Sequence, residues 1–145
     1  MATERRAEVR WQGSLLEGSG TIGSTTSGAF GGLGVTWKAR SEDEPGGLTS
    51  PEELIAAAHA ACFSMALSAG LATAGTPAGE LDTAATVTFQ PGEGITRIEL
   101  MVEGRVPGIE ADAFQEAAQT AKENCPVSKA LAGVPEISLQ ARLVS

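Results

Sequence analysis

The stretch Ser50-Pro51-Glu52-Glu53-Leu54-Ile55, running on through His59-Ala60-Ala61-Cys62-Phe63-Ser64-Met65-Ala66-Leu67 to Gly75-Thr76-Pro77, decides how this chain folds. A hydroxyl cap, proline at the first helical position and carboxylates in the first turn all start a helix here. Glu53, three positions after Ser50, offers the return half of a capping box. Gly75-Thr76-Pro77 ends the segment. From Pro51 to about Ala74 such a helix runs roughly 36 Å, longer than the globular average. Its faces carry Ala, Leu, Ile, Met, Phe and Cys almost all round, so it is expected to be central and covered by several elements, a second subunit among them.

Working outward, Ala7 to Trp11 and Ser19 to Thr25 read as a hairpin of exposed strands. Val35 to Ala39 reads as a further strand before an acidic, glycine-rich loop that ends at Thr49. The glycines at 28, 31, 32 and 34 lack the strand-turn-helix context of a phosphate loop and are read as turn residues. Beyond the long helix, Leu81 to Gln90 alternates through Ala85, Val87 and Phe89, and Thr96 to Val106 alternates through Ile98, Leu100 and Val102, with Pro-Gly-Glu-Gly as the turn between them. A second helix is expected from about Glu110 to Asn124, with Ala111, Phe114, Ala118 and Ala121 on its apolar face. Pro126 breaks it, a short helical segment follows to Ala132, and Pro135 to Val144 reads as a last strand. The order implies an α+β sheet with helices against one face. Trp11 and Trp37, in expected sheet positions, are read as core residues in preference to part of an apolar pocket.

The chain has 145 residues and a formal charge of -8. That length suits one domain, 1–145, and not two independent ones. The acidic balance, without a basic cluster, argues against a nucleic-acid surface. The most apolar stretch, Leu54 to Ala74, is dominated by alanine and broken by His59, Cys62, Ser64, Ser68 and Thr73, so close helix packing is expected and a membrane span is not. The amino terminus lacks a hydrophobic signal core, and a cytoplasmic protein is expected.

Two cysteines, Cys62 and Cys125, stand far apart in the sequence. In a reducing compartment a reversible pair used in chemistry is allowed, and simple burial is the competing reading for each. Cys125 adjoins the expected helix break at Pro126, where amides of the following segment can lower a thiol pKa. His59 lies one turn before Cys62, which raises either a cysteine-histidine nucleophile or a satisfied buried histidine, the second being favoured because no third group is evident. A metal held by His59, Cys62 and Cys125 lacks a fourth ligand, and no metal or cofactor is expected.

Taken together, Pro51-Glu52-Glu53-Leu54-Ile55 leading into His59-Ala60-Ala61-Cys62-Phe63-Ser64-Met65-Ala66-Leu67, then Val106-Pro107-Gly108-Ile109, then Asn124-Cys125-Pro126-Val127-Ser128, resemble the family of osmotically inducible protein C and the organic hydroperoxide resistance proteins (OsmC/Ohr). The resemblance implies an α+β fold of antiparallel sheets packed with a long central helix and a second helix, an intertwined homodimer, and a thiol-dependent peroxidase acting on organic hydroperoxides. It gives Cys62 the attack on the peroxide, Cys125 the resolution of the resulting sulfenic acid as a disulfide, and a dithiol, such as a lipoyl group, the return of both to thiols. It matches the family's activating glutamate to Glu52 and its arginine to Arg40, at the end of the expected third strand. No arginine lies between Gly13 and Gly34, where the organic-hydroperoxide branch carries its own, so the chain is closer to the osmotically inducible branch. A redox sensor or ligand-binding protein of the same fold is the alternative reading.

Helix rise adds a constraint of its own. Ten residues place Glu52 about 15 Å from Cys62 along one helix, too far for a single carboxylate to span. If Glu52 assists a cysteine, the economical arrangement is that it serves Cys62 of a second subunit across a two-fold axis.

Overall fold

The computed structural model describes residues 1–144. It falls into two units, residues 1–54 and the described residues from 55 onward.

In the first unit, β1 (Ala7–Gln12), β2 (Ser19–Thr25) and β3 (Leu33–Val35) form an antiparallel sheet in that order. Gly28 and Gly32, between β2 and β3, hold φ of 71° and 72°, the left-handed conformation that the turn reading requires. The expected strand from Val35 to Ala39 is corrected: the strand stops at Val35, and Trp37–Ser41 is a short helix, α1. The reason is local. Thr36 is extended and its hydroxyl accepts from the Ala39 N–H at 3.0 Å, so a residue that reads as one more alternating strand position is in fact an N-cap. This moves Arg40 from a strand end to a helix. The unit buries few apolar side chains, Ile22 and Ala39 among them, while Val9, Trp11, Leu15, Leu16, Phe30 and Leu33 are exposed. Trp11, 40 % exposed, is therefore not the core residue the sequence reading made it.

The long helix α2 spans Pro51–Thr73. Its start is built as expected on Ser50, whose hydroxyl accepts from the Glu53 N–H at 3.2 Å. The Glu53 carboxylate turns to Thr49 and accepts from its hydroxyl at 2.6 Å. By length and composition alone α2 is apolar enough to cross a membrane, because the residues that interrupt it carry no formal charge; that test does not distinguish a span from the close helix packing expected. Only 22 % of its most apolar window is buried within the chain.

The second unit holds a sheet of β4 (Glu80–Gln90), β5 (Gly94–Arg105) and β6 (Glu136–Leu143), with α3 (Ala111–Asn124) and α4 (Pro126–Ala130) between β5 and β6. β4 and β5 form the expected antiparallel hairpin; β6 pairs parallel with β5, since a connection carrying two helices returns the chain to the same end of the sheet. The α+β class stands with this one parallel pair. Alternation in β5 buries Ile98, Leu100 and Val102. Leu100 and Val102 meet Phe63, Leu67 and Leu71 of α2 and Phe114, Ala118 and Ala121 of α3 in one cluster, and Cys125 belongs to it.

Candidate active site

Cys125 occupies the joint between α3 and α4. Its N–H donates to the Ala121 carbonyl at 2.9 Å, closing α3, and its own carbonyl accepts from the Lys129 N–H at 3.0 Å, opening α4. Pro126 forces this break, because it has no N–H to continue the first helix and its ring fits the first position of the next. The side chain of Cys125 is fully buried, whereas Cys62 on α2 is half-buried, and both are free thiols. The two sulfurs are hydrogen-bonded to each other. Two residues that the sequence reading singled out independently are thus neighbours.

The environment of the pair divides the charge unequally. Burial pushes the Cys62 thiol above its ordinary range, and the hydrogen bond with Cys125 adds to this against a single opposing donor, the Val127 N–H. Burial also acts to raise Cys125, but it is outweighed by the hydrogen bond from Cys62, by the N–H and hydroxyl of Ser128 and by the Val127 N–H, so Cys125 lies below its ordinary range. These surroundings favour a thiolate at Cys125 more than at Cys62.

His59 is fully buried, and its Nε2 lies 2.7 Å from the Ser128 hydroxyl. Its Nδ1 has no partner among the described residues. Burial lowers its pKa, which favours the neutral imidazole. The cysteine-histidine nucleophile considered from spacing is not built, since the histidine's partner is Ser128. The favoured reading, a satisfied buried histidine, holds for one ring nitrogen and not for the other.

Arg40 and Glu52 form a second pair, in the first unit. The Arg40 Nε donates to both carboxylate oxygens, at 2.9 and 3.2 Å, and Nη2 donates to Oε2 at 2.9 Å. The Glu52 side chain is 8 % exposed and that of Arg40 32 %. A planar guanidinium presents its donors in a fork that matches a carboxylate, which lysine does not. The four residues expected from sequence therefore come as two pairs, one in each unit.

Comparison with known proteins now bears on these pairs. The family model described as OsmC-like protein matches residues 43–140, and the chain is 43 % identical over the full length of both proteins to a curated relative named Peroxiredoxin OsmC from Escherichia coli strain K12. The chain belongs to the OsmC family. Shigella flexneri has a relative of the same name at the same identity and coverage. At this identity over the whole length, OsmC membership makes the chain a cysteine-based peroxidase. Solved structures extend the likeness of fold. An OsmC-like protein from Mycoplasma pneumoniae aligns with a TM-score of 0.72 at 21 % identity, covering 100 % of both chains. The organic hydroperoxide resistance protein OhrB of Bacillus subtilis aligns with a TM-score of 0.61 at 24 % identity, covering 96 % of this chain and 98 % of that one.

The residue that sequence reasoning missed is Ser128. The available signal was its place one turn into the segment after Cys125, where hydroxyl and backbone N–H both face back toward a helix-capping sulfur. Its second partner, His59, lies on another element, and no local pattern announces that contact.

Proposed function

We propose that this OsmC protein reduces organic hydroperoxides with Cys62 as nucleophile and Cys125 as resolving thiol, within a single OsmC-like domain of a homodimer. The observation that carries the reading is the contact between a half-buried and a fully buried free thiol that the chain brings together from distant positions. The Cys62 thiolate attacks one peroxide oxygen; an S–O bond forms as the O–O bond breaks, and the alkoxide leaves as alcohol after taking a proton. Cys125 then attacks the Cys62 sulfur, an S–S bond forms, and the hydroxyl departs as water. A dithiol reductant returns both thiols by two exchange steps, becoming a disulfide itself. The cycle needs a compartment that regenerates that dithiol, so we assign the protein to the cytoplasm.

Attack requires charge on Cys62, whose thiol burial pushes above its ordinary range. The Arg40–Glu52 pair supplies the means: in this proposal the pair of one subunit faces Cys62 of the other, where the guanidinium favours the thiolate and the carboxylate fixes the guanidinium. Several features support a second copy. Most of the apolar window of α2 lies uncovered, Met65 on it is 73 % exposed, and the small sheet presents Val9, Trp11 and Leu33. The experiment is steady-state turnover of cumene hydroperoxide with dihydrolipoamide and other dithiols. Wild type turns over, Cys62→Ser does not, and Cys125→Ser loses dithiol-supported cycling. Equal turnover by Cys62→Ser and wild type would overturn the reading.

A further inference from the structure

The unpartnered nitrogen of His59 points to a role for a histidine that the proposed cycle leaves unused. The Ser128 hydroxyl has one proton to give and stands between two claimants, His59 Nε2 at 2.7 Å and the Cys125 sulfur. Were Nε2 the bare nitrogen, it would take that proton, and the imidazole N–H would fall on Nδ1, a buried donor with no acceptor among the described residues. A buried orphan N–H is the costlier defect, so the network assigns the proton to Nε2 and leaves a bare lone pair on Nδ1. His59 Nε2–H then donates to the Ser128 oxygen, and the Ser128 proton is left for the sulfur of Cys125. His59 and Ser128 are fully buried or nearly so, at 0 % and 8 % exposure, so neither bond is contested by bulk water.

We propose that His59 is a positioning residue of the resolving half-reaction: it turns the Ser128 hydroxyl so that its proton points at the Cys125 sulfur, the atom that attacks Cys62. The inference rests on the reading of Cys125 as the resolving thiol. In the step concerned, the Cys125 thiolate attacks the Cys62 sulfenic sulfur, the S–S bond forms as the S–O bond breaks, and the leaving hydroxide takes a proton from solvent to become water. The Cys125 sulfur is oxidised and the Cys62 sulfur reduced, and no electron or proton is retained by His59, which stays neutral throughout. The groups that face the Cys125 sulfur are the Cys62 thiol from α2, the N–H groups of Val127 and Ser128 and the Ser128 hydroxyl. Of these, the hydroxyl is the one whose proton His59 turns, through its contact with Nε2.

The test separates the two half-reactions. Peroxide consumption in a single turnover reads the first, and closure of the Cys62–Cys125 disulfide, followed by quenching and mass spectrometry, reads the second. In Ser128→Ala and His59→Leu the second should slow about tenfold, as expected for a lost hydrogen bond to a charged sulfur, while the first stays within about threefold of wild type. The pH midpoint for alkylation of Cys125, measured in a Cys62→Ser background, should rise in both variants. Ser128→Thr, which keeps the hydroxyl, and His59→Gln, which keeps a donor, should recover much of the rate. Should His59→Leu fail to fold, Ser128→Ala and its threonine counterpart carry the test. A folded Ser128→Ala protein with wild-type closure rate and an unmoved Cys125 midpoint overturns the inference alone. A wild-type protein that consumes peroxide without closing the disulfide overturns the underlying reading, and this inference with it.

Discussion

Replacing Arg40 by methionine tests whether the Arg40–Glu52 pair is built for strength as well as for chemistry. The substitution keeps an unbranched side chain in a half-buried position and removes all three N–H···O contacts, at 2.9, 3.2 and 2.9 Å. What remains is a carboxylate with 8 % of its side chain exposed and its guanidinium partner gone. Removing one partner of a fully buried pair costs about 3–5 kcal/mol; because Arg40 keeps about a third of its surface in water, we expect less, about 2–3 kcal/mol. Glu52→Gln, which leaves a neutral amide, should cost less, and the double variant should be more stable than Arg40→Met alone, because the uncompensated charge has gone. Urea unfolding of the four proteins, followed by circular dichroism, yields the coupling directly. We expect about 2 kcal/mol, and activity lost in all three variants by more than their stability accounts for. A coupling below about 0.5 kcal/mol would show that solvent screens the pair as it does an ordinary surface ion pair, and the argument from burial would fail.

Four further outcomes follow. His59 is the single histidine of the chain, and burial lowers its pKa below the ordinary 6.5. As pH falls through 6.5 the unfolded chain takes up a proton that the folded one refuses, so stability drops by at most about 1.4 kcal/mol per pH unit until the folded value is passed. That component should be absent from His59→Gln when both are unfolded in urea between pH 7 and 5; parallel pH profiles for the two proteins would refute it. Gly104→Ala should destabilise by about 1–3 kcal/mol in thermal melts, since a Cβ there would lie 2.5 Å from the Phe114 ring; an unchanged melting temperature would mean that α3 moves freely off the sheet. Met65→Asp, placing a charge on the exposed face of α2, should shift sedimentation from dimer to monomer, and a monomeric wild type would remove the basis for a shared site. Finally, Glu52→Gln and Cys62→Ser proteins, each inactive, should regain partial activity when refolded together, and no recovery despite verified heterodimers would mean that the two residues act within one chain.

Much of this arrangement is legible before any coordinates are seen, and the parts that are not have physical reasons. Ser50, Pro51 and the first-turn carboxylates mark the start of α2 because capping is a local matter, and alternation marks β4 and β5 because each has one buried face. The helical turn at Trp37–Ser41 is hidden because Val35-Thr36-Trp37-Lys38-Ala39 alternates like a strand, and only the cap made by the Thr36 hydroxyl decides otherwise. The parallel pairing of β6 is hidden because strand direction depends on where α3 and α4 deliver the chain, not on the residues of the strand. Trp11 shows a further limit: an aromatic residue in a strand reads as core even where its own chain leaves it uncovered. Of the site, the cysteine pair and Arg40 with Glu52 are carried by motif resemblance, and the structure adds that each forms a contact pair. The link from His59 to Ser128 joins positions on separate helices and has no signature along the sequence.

The most direct measurement treats reduced protein with one equivalent of an organic hydroperoxide, quenches within the turnover time and maps the oxidised residues by mass spectrometry. The account predicts a Cys62–Cys125 disulfide in wild type and a sulfenic acid trapped at Cys62 in Cys125→Ser. Because the surroundings push the Cys62 thiol up and the Cys125 thiol down, the order of oxidation is the sharpest point at issue: oxidation appearing first at Cys125, or a Cys62→Ser protein that still consumes the peroxide, would contradict the assignment of Cys62 as the attacking thiol.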